Sequence, residues 1–172
     1  MLIAYTGMRV GEMTALKWKN VNLEERYVDI VEATARIKDD NGRYTTIDKT
    51  TKTENSNRRI PLPERGVEMI RYFDRVNPNH KPDDLVCLTS NKTKISRRNI
   101  NRTLDGMCRD AGLPHMGIHS LKHSYGSILL EKGVNIKTIS ELLGHKNITT
   151  TYNIYIGVDE DSKVNAVKAF DE

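Results

Sequence analysis

Cysteine is scarce in this chain. The two present, Cys87 and Cys108, lie far apart and make no metal-ligand spacing, which argues against a cysteine-held metal and predicts reduced, buried thiols in a cytoplasmic protein. No apolar run reaches the length of a membrane-spanning helix, and no signal peptide is visible. Internal repeats and low-complexity tracts are missing as well, so the 172 residues read as one ordinary domain, long enough to bury a sizeable core. What is there is globular in composition: 37% apolar and 29% charged residues. Lysine and arginine exceed aspartate and glutamate by 27 to 23, giving a net charge of +4 and a pI of about 9.0. That excess suits a polyanionic partner such as nucleic acid without demanding one. Met1 opens on L-I-A-Y-T-G, which reads as the last turns of a helix, so the chain is expected to be a piece of something longer, cut at its amino end.

Periodicity predicts a mainly helical α+β domain. A first helix should stop at Gly7, and a second should run from Met8 to Trp18 with Val10, Met13 and Leu16 inward. The β-branched and aromatic run from Tyr27 to Ile37 argues a strand, and Tyr44–Asp48 returns as another after a turn at Asp39, Asp40, Asn41 and Gly42. A polar loop, Lys49 to Asn57, leads to a third strand ending at Ile60, Pro61 and Leu62, which together make a small three-stranded antiparallel meander. Helices follow over Arg65–Val76, from the Ser96 cap to Ala111 with Ile100, Leu104 and Met107 inward, over His119–Lys132, and over Asn135–Leu143. Short helices around Thr149–Tyr155 and Asp159–Phe170 complete the chain.

Four stations carry chemistry. In T-G-M-R-V-G-E, Arg9 and Glu12 sit three apart, a spacing that suits an ion pair. It fits a surface salt bridge, and equally a carboxylate steadying an arginine that grips an oxyanion with two prongs. The loop K-T-T-K-T-E-N-S-N-R-R-I-P-L offers Lys49 and Lys52 on a turn, where an ammonium can serve as a proton donor or simply be solvated. In H-S-L-K-H-S-Y, helical spacing puts His119, Lys122 and His123 in one sector and Leu121, Tyr125 and Ile128 in the opposite one. Two histidines four apart also occur in zinc helices, but no glutamate lies between them and no third ligand is evident, so no metal is assigned. Last, His145 follows a helix-ending glycine, and Tyr152 and Tyr155 come soon after it. A tyrosine hydroxyl can bond covalently to phosphorus while a nearby histidine holds the phosphate.

In this order, T-G-M-R-V-G-E, K-T-E-N-S-N-R-R-I-P-L, H-S-L-K-H, L-G-H and T-T-T-Y-N-I-Y resemble the catalytic domain of the tyrosine recombinase (phage integrase) family, across nearly the whole chain. The resemblance implies roles: Arg9 as the first catalytic arginine with Glu12 supporting it, Lys52 as the hairpin lysine, His119 and His145 as the two histidines, and Tyr155, rather than Tyr152, as nucleophile. Lys122 departs from the pattern. The family has H-x-x-R, and lysine keeps the charge but loses the two-pronged contact. One lost bond to a charged oxygen costs roughly 1.5–3 kcal/mol, one to two orders of magnitude in rate. Gly157 also stands where a histidine is often found.

The implied reaction is a cofactor- and metal-free transesterification on double-stranded DNA through a 3′-phosphotyrosyl bond. Lys92, Lys94, Arg97, Arg98 and Arg102 crowd one loop and helix start, where phosphates are favoured, and are the expected DNA-binding surface. The resemblance further implies a missing DNA-clamping domain ahead of residue 1, a terminal segment Val158–Phe170 that docks on a neighbour in a tetramer on DNA, and a bacterial cytoplasmic, nucleoid-associated setting. Two rival readings stay open: a type IB topoisomerase-like enzyme, and a catalytically impaired DNA-binding remnant, to which Lys122 lends weight.

Overall fold

The fold is seen in a computed structural model, which describes residues 2–38, 40, 42–50 and 57–155, without the side chains of residues 154 and 155. Lys52, Gly157 and the segment Val158–Phe170 lie outside the described residues.

The chain opens with α1 (Ile3–Thr6), ended by Gly7 in the left-handed conformation at φ 63°, and then α2 (Val10–Ala15). The second helix is shorter than its apolar spacing predicts. Arg9 has extended backbone and serves as its N-cap, so the helix cannot begin at Met8. After a short 3₁₀ turn (Trp18–Asn20) come β1 (Val21–Asn22) and β2 (Tyr27–Ile30), then β3 (Glu32–Lys38), β4 (Tyr44–Thr50) and β5 (Arg58–Pro61). Among the described residues, five helices follow: α3 (Glu64–Val76), α4 (Arg97–Asp110), α5 (Ile118–Glu131), α6 (Ile136–Leu143) and α7 (Ile148–Tyr155). Ser96 Oγ caps α4 by accepting from Asn99 N at 3.2 Å, and Asn135 Oδ1 caps α6 by accepting from Thr138 N at 2.9 Å.

A three-stranded antiparallel sheet is present, but it is not a meander of the expected strands. Its order is β1-β2-β5, with Val28 opposite both Val21 and Ile60, while β3 and β4 form a separate two-stranded hairpin. The run from Tyr27 to Ile37 is therefore two strands broken at Val31. The reason is burial. Val28, Ile30 and Ile60 are buried and need each other, whereas no residue of β3 or β4 joins the buried core. Lys49 falls inside β4, opposite Ala33, rather than in a loop.

The hairpin is held against α2 by polar contacts. Thr14 Oγ1 donates to Thr34 Oγ1 at 3.0 Å, Thr34 in turn donates to Asp48 at 2.6 Å, and Lys17 pairs with Glu32 at 2.8 Å. Gly11 makes this approach feasible, since a Cβ there would lie 2.6 Å from the Thr34 carbonyl oxygen.

The main core joins α1, α2, β2, β5, α3 and α4 through Ile3, Met13, Val28, Ile60, Ile70 and Ile100. A smaller cluster, Ile139 and Leu143, packs α6 against Tyr125 and Leu129 of α5. On α4 the inward residue after Leu104 is Cys108, and Met107 is 53% exposed, a correction to the expected face. Cys87 and Cys108 are free and buried, and burial pushes the Cys87 thiol up to about 12. Trp18 stacks flat on His80, centroids 3.8 Å apart, and His80 Nε2 lies 3.0 Å from Asp74 Oδ1. Among the described residues, no helix is long and apolar enough to cross a membrane.

Candidate active site

The C-terminal end of α6 organises the site. Gly144, left-handed at φ 64°, stops the helix and turns the chain into His145. The last carbonyls of a helix lack partners within it and carry the negative end of its dipole. Here three consecutive carbonyls each accept from a different cation: Leu142 from Arg58 Nε at 2.9 Å, Leu143 from Lys122 Nζ at 2.5 Å, and Gly144 from an Arg9 terminal nitrogen at 2.6 Å.

One carboxylate completes the cluster. Glu12, 3% exposed, accepts both prongs of the Arg58 guanidinium at 3.0 and 2.8 Å, an Arg9 prong at 2.8 Å and the Arg9 backbone N–H at 2.7 Å. Burial alone would raise the Glu12 carboxyl, but Arg58 and Arg9 outweigh it and hold it below its usual value. The expected Arg9–Glu12 pair is thus present, and Glu12, at the N3 position of α2, also steadies the helix start by accepting the N-cap backbone N–H.

Lys122 does not sit on a polar face of α5. It is buried, with Tyr125 and Gly126 turned partly or wholly inward on the same helix, while Ile128, expected inward, is 48% exposed. The ammonium donates to Gly7 O at 2.9 Å and to Leu143 O, linking the ends of α1 and α6. A helix wheel cannot register this, because the partners are main-chain oxygens of other helices. Burial, and then the Arg9 and Arg58 charges, lower the Lys122 pKa to about 7.

The histidines differ in setting. His145 Nδ1 lies 2.8 Å from Thr151 Oγ1, and Thr151, in the first turn of α7, is fully buried. Burial, then the Lys122 and Arg9 charges, push His145 down to about 4, so its ring is neutral at pH 7. His119, at the start of α5, is exposed, and its Nε2 lies 3.0 Å from an Arg97 terminal nitrogen. Its pKa is lowered by partial burial first and then by the Arg97 charge, which leaves Nε2 an acceptor. Tyr155 lies in the final turn of α7, one turn beyond Thr151, and Tyr152 is 54% exposed.

Of the expected DNA-binding residues, Lys92, Arg97, Arg98 and Arg102 are exposed at or near the start of α4. Lys94 is instead half-buried in an ion pair with Asp48 of the hairpin. Between α2, the hairpin and the start of α4 runs a cleft of about 500 Å3, lined by Thr14, Thr34, Arg36, Lys94, Arg97 and Arg98. Among the described residues, no group of three or more His, Cys, Asp or Glu side chains is placed to hold a metal ion.

Arg58 and Thr151 belong to the site although the motifs did not single them out. For Arg58 the signal was available: alternation along β5 puts it on the same side as the buried Ile60, whereas Arg59 points out, pairs with Asp29 and stacks over Tyr27. For Thr151 no local signal distinguishes it from its neighbouring threonines.

The phage integrase family model matches residues 1–161. The chain belongs to the phage integrase family. Among curated relatives in this family, the chain is 32% identical to a "Tyrosine recombinase XerC-like" protein of Caldanaerobacter subterraneus subsp. tengcongensis, covering 99% of this chain and 48% of that protein. It is 30% identical to "Tyrosine recombinase XerA" of Pyrococcus furiosus, over 98% of this chain and 52% of the relative. The chain thus spans about half the length of these relatives. Two solved integrase-family folds match it: the Tn1549 transposon integrase in complex with transposon right end DNA (TM-score 0.81, 20% identity, 99% of this chain, 57% of the other) and XerH site-specific recombinase bound to difH substrate (TM-score 0.66, 22% identity, 99% and 45%). The mostly helical α+β architecture with small antiparallel sheets is that of these recombinase folds.

Proposed function

We propose that this chain carries the strand-cleaving and rejoining chemistry of a site-specific DNA recombinase, with double-stranded DNA as its substrate and a bacterial cytoplasmic, nucleoid-associated setting. The observation that carries the reading is the meeting of Arg9, Lys122 and His145 at one helix end, immediately ahead of the helix that bears Tyr155. The DNA held by the matched Tn1549 integrase and XerH structures supports the choice of substrate.

Tyr155 Oη attacks the scissile phosphorus in line, forming a 3′-phosphotyrosyl bond as the bond to the 5′-oxygen breaks. Lys52 delivers a proton to that oxygen, releasing a 5′-hydroxyl. His119, neutral at pH 7 with an accepting Nε2, takes the tyrosine proton. Negative charge gathering on the non-bridging oxygens is met by Arg9, Lys122 and His145. Neutral His145 serves as a donor through Nε2–H when Nδ1 accepts the Thr151 hydroxyl. A 5′-hydroxyl of a partner strand then attacks the phosphotyrosine and restores a phosphodiester, so no external energy source enters the balance. The cations held at α6 before DNA arrives need little rearrangement, which is the economical way to stabilise a charged transition state.

Lys122 is the weak point of this machinery. It has one point charge where the family has a fork, and its pKa near 7 leaves it partly neutral in the free protein. Its activity is therefore lower than an arginine would give. A tetramer on DNA is part of the same reading and rests on family likeness alone.

The test is covalent trapping on a nicked suicide DNA substrate with the complete gene product. Wild type is expected to form a protein–DNA adduct, and Tyr155→Phe none. An adduct that survives Tyr155→Phe would reassign the nucleophile. No adduct with wild type, at intact DNA affinity, would leave a DNA-binding remnant. Relaxed circles without exchanged strands would point to the topoisomerase-like reading.

A further inference from the structure

We propose that Arg58 is a positioning residue of the cleavage site, setting Arg9 through their shared carboxylate Glu12 and the His145 turn through the Leu142 carbonyl. The proposal rests on the recombinase reading above, and deepens it with a residue outside the implied catalytic set.

The contrast between the two arginines of the Glu12 cluster motivates it. The Arg9 side chain is 43% exposed, so its guanidinium can meet a phosphate while one prong stays on Glu12. The Arg58 side chain is 8% exposed, and all three of its nitrogens are engaged inside the protein. It is thus poorly placed to receive substrate and well placed to fix what does. Its two prongs hold both oxygens of Glu12 in one plane, and those same oxygens hold the Arg9 side chain and backbone. Its third nitrogen ties down Leu142, three residues before His145.

The fit is built into the backbone. A Cβ on Gly144 would lie 2.6 Å from an Arg58 terminal nitrogen and 2.7 Å from the guanidinium carbon. Only a residue without a side chain lets the guanidinium lie flat against the turn that presents His145. A buried arginine that merely neutralised Glu12 would not require the carbonyl contact to α6. Arg58 instead joins β5, α2 and α6, the three elements whose relative placement sets Arg9 against His145. Lysine cannot replace this, because one ammonium cannot span two carboxylate oxygens and a carbonyl in the same geometry.

The experiment measures single-turnover adduct formation on the nicked substrate for the complete gene product, together with DNA affinity and unfolding midpoint. Arg58→Lys is expected to slow adduct formation about 10- to 100-fold at unchanged DNA affinity. In an Arg9→Lys background, where the fork that Arg58 positions is already gone, the same change should cost about threefold or less. Equal cost in both backgrounds, a rate loss that only follows the fraction unfolded, or a wild-type rate in Arg58→Lys would each overturn the proposal. If wild type itself forms no adduct, the recombinase reading fails and Arg58 has nothing to position. An adduct that depends on Tyr155 but not on Arg58 overturns this proposal alone.

Discussion

Around the end of α6, Arg58 and Lys122 are 8% and 7% exposed, and the carbonyls of Leu142, Leu143 and Gly144 are all taken up by cations. At the start of α4, Lys92, Arg97, Arg98 and Arg102 are exposed on a helix end and loop. Both groups are basic, but their charges are held differently. The buried group is fixed before substrate arrives, at the cost of desolvating its charges. The exposed group stays open to water, and contributes mainly through long-range attraction and counterion release. Stabilising a transition state needs the first arrangement, and gathering a polyanion needs only the second.

The sharpest way to break the comparison is to remove the carboxylate. Glu12→Ala leaves Arg58 buried without its partner and should cost about 3–5 kcal/mol of stability by chemical denaturation, with cleavage lost as well. The wild-type contribution of Glu12 is present above its unfolded pKa and is lost as pH falls through its lowered folded value. Acid unfolding should follow that course. Gly144→Ala tests the same half through the backbone: a left-handed alanine with its Cβ against Arg58 should lower stability by about 2–4 kcal/mol. A Tm unchanged in that variant would mean that the guanidinium moves aside freely.

Lys122 gives an effect of intermediate size, and one that depends on pH. Its charged form is the useful one, and its pKa is lowered to about 7. The apparent second-order rate of adduct formation should therefore fall as pH rises through about 7. Lys122→Arg should remove that falling limb and speed cleavage by roughly tenfold or more. Folding stability moves the opposite way. Between about 7 and the unfolded lysine value near 10.4, the unfolded chain binds the extra proton, so stability rises with pH in wild type and less in the arginine variant. The smallest effects belong to the exposed half. Arg97→Ala and Arg98→Ala should each reduce the salt slope of DNA affinity by about one unit and alter stability by about 0.5 kcal/mol or less. An unchanged slope would remove that surface from the DNA interface.

The two halves were not equally legible in the sequence. Helices α3 to α6 are legible through the Ser96 cap, the Gly144 stop and their apolar spacing, because capping and amphipathicity are local. The exposed basic run was equally plain. The buried half was not. Lys122 looked like part of a polar face because the oxygens that receive it belong to Gly7 and Leu143, distant in sequence. The strand from Tyr27 read as continuous because nothing in β propensity marks Val31 as the point where one sheet ends and a hairpin begins. Thr151 became visible only when α7 brought it to His145. Lys94 lies among basic neighbours in the sequence, yet it is paired with Asp48 of the hairpin.

The β3–β4 hairpin supplies no residue to the buried core, and is fastened to the rest through hydroxyls and ion pairs on α2 and near α4. Such an element is tied to the rest at the end that carries Glu32, Thr34 and Asp48. Adding or removing residue pairs at its far end would alter its reach while the inward β2–β5 pairing and the charges at α6 stay as they are. A variant lengthened only beyond Lys38 and Tyr44 should therefore keep its fold, because Glu32, Thr34 and Asp48 retain their partners Lys17, Thr14 and Lys94.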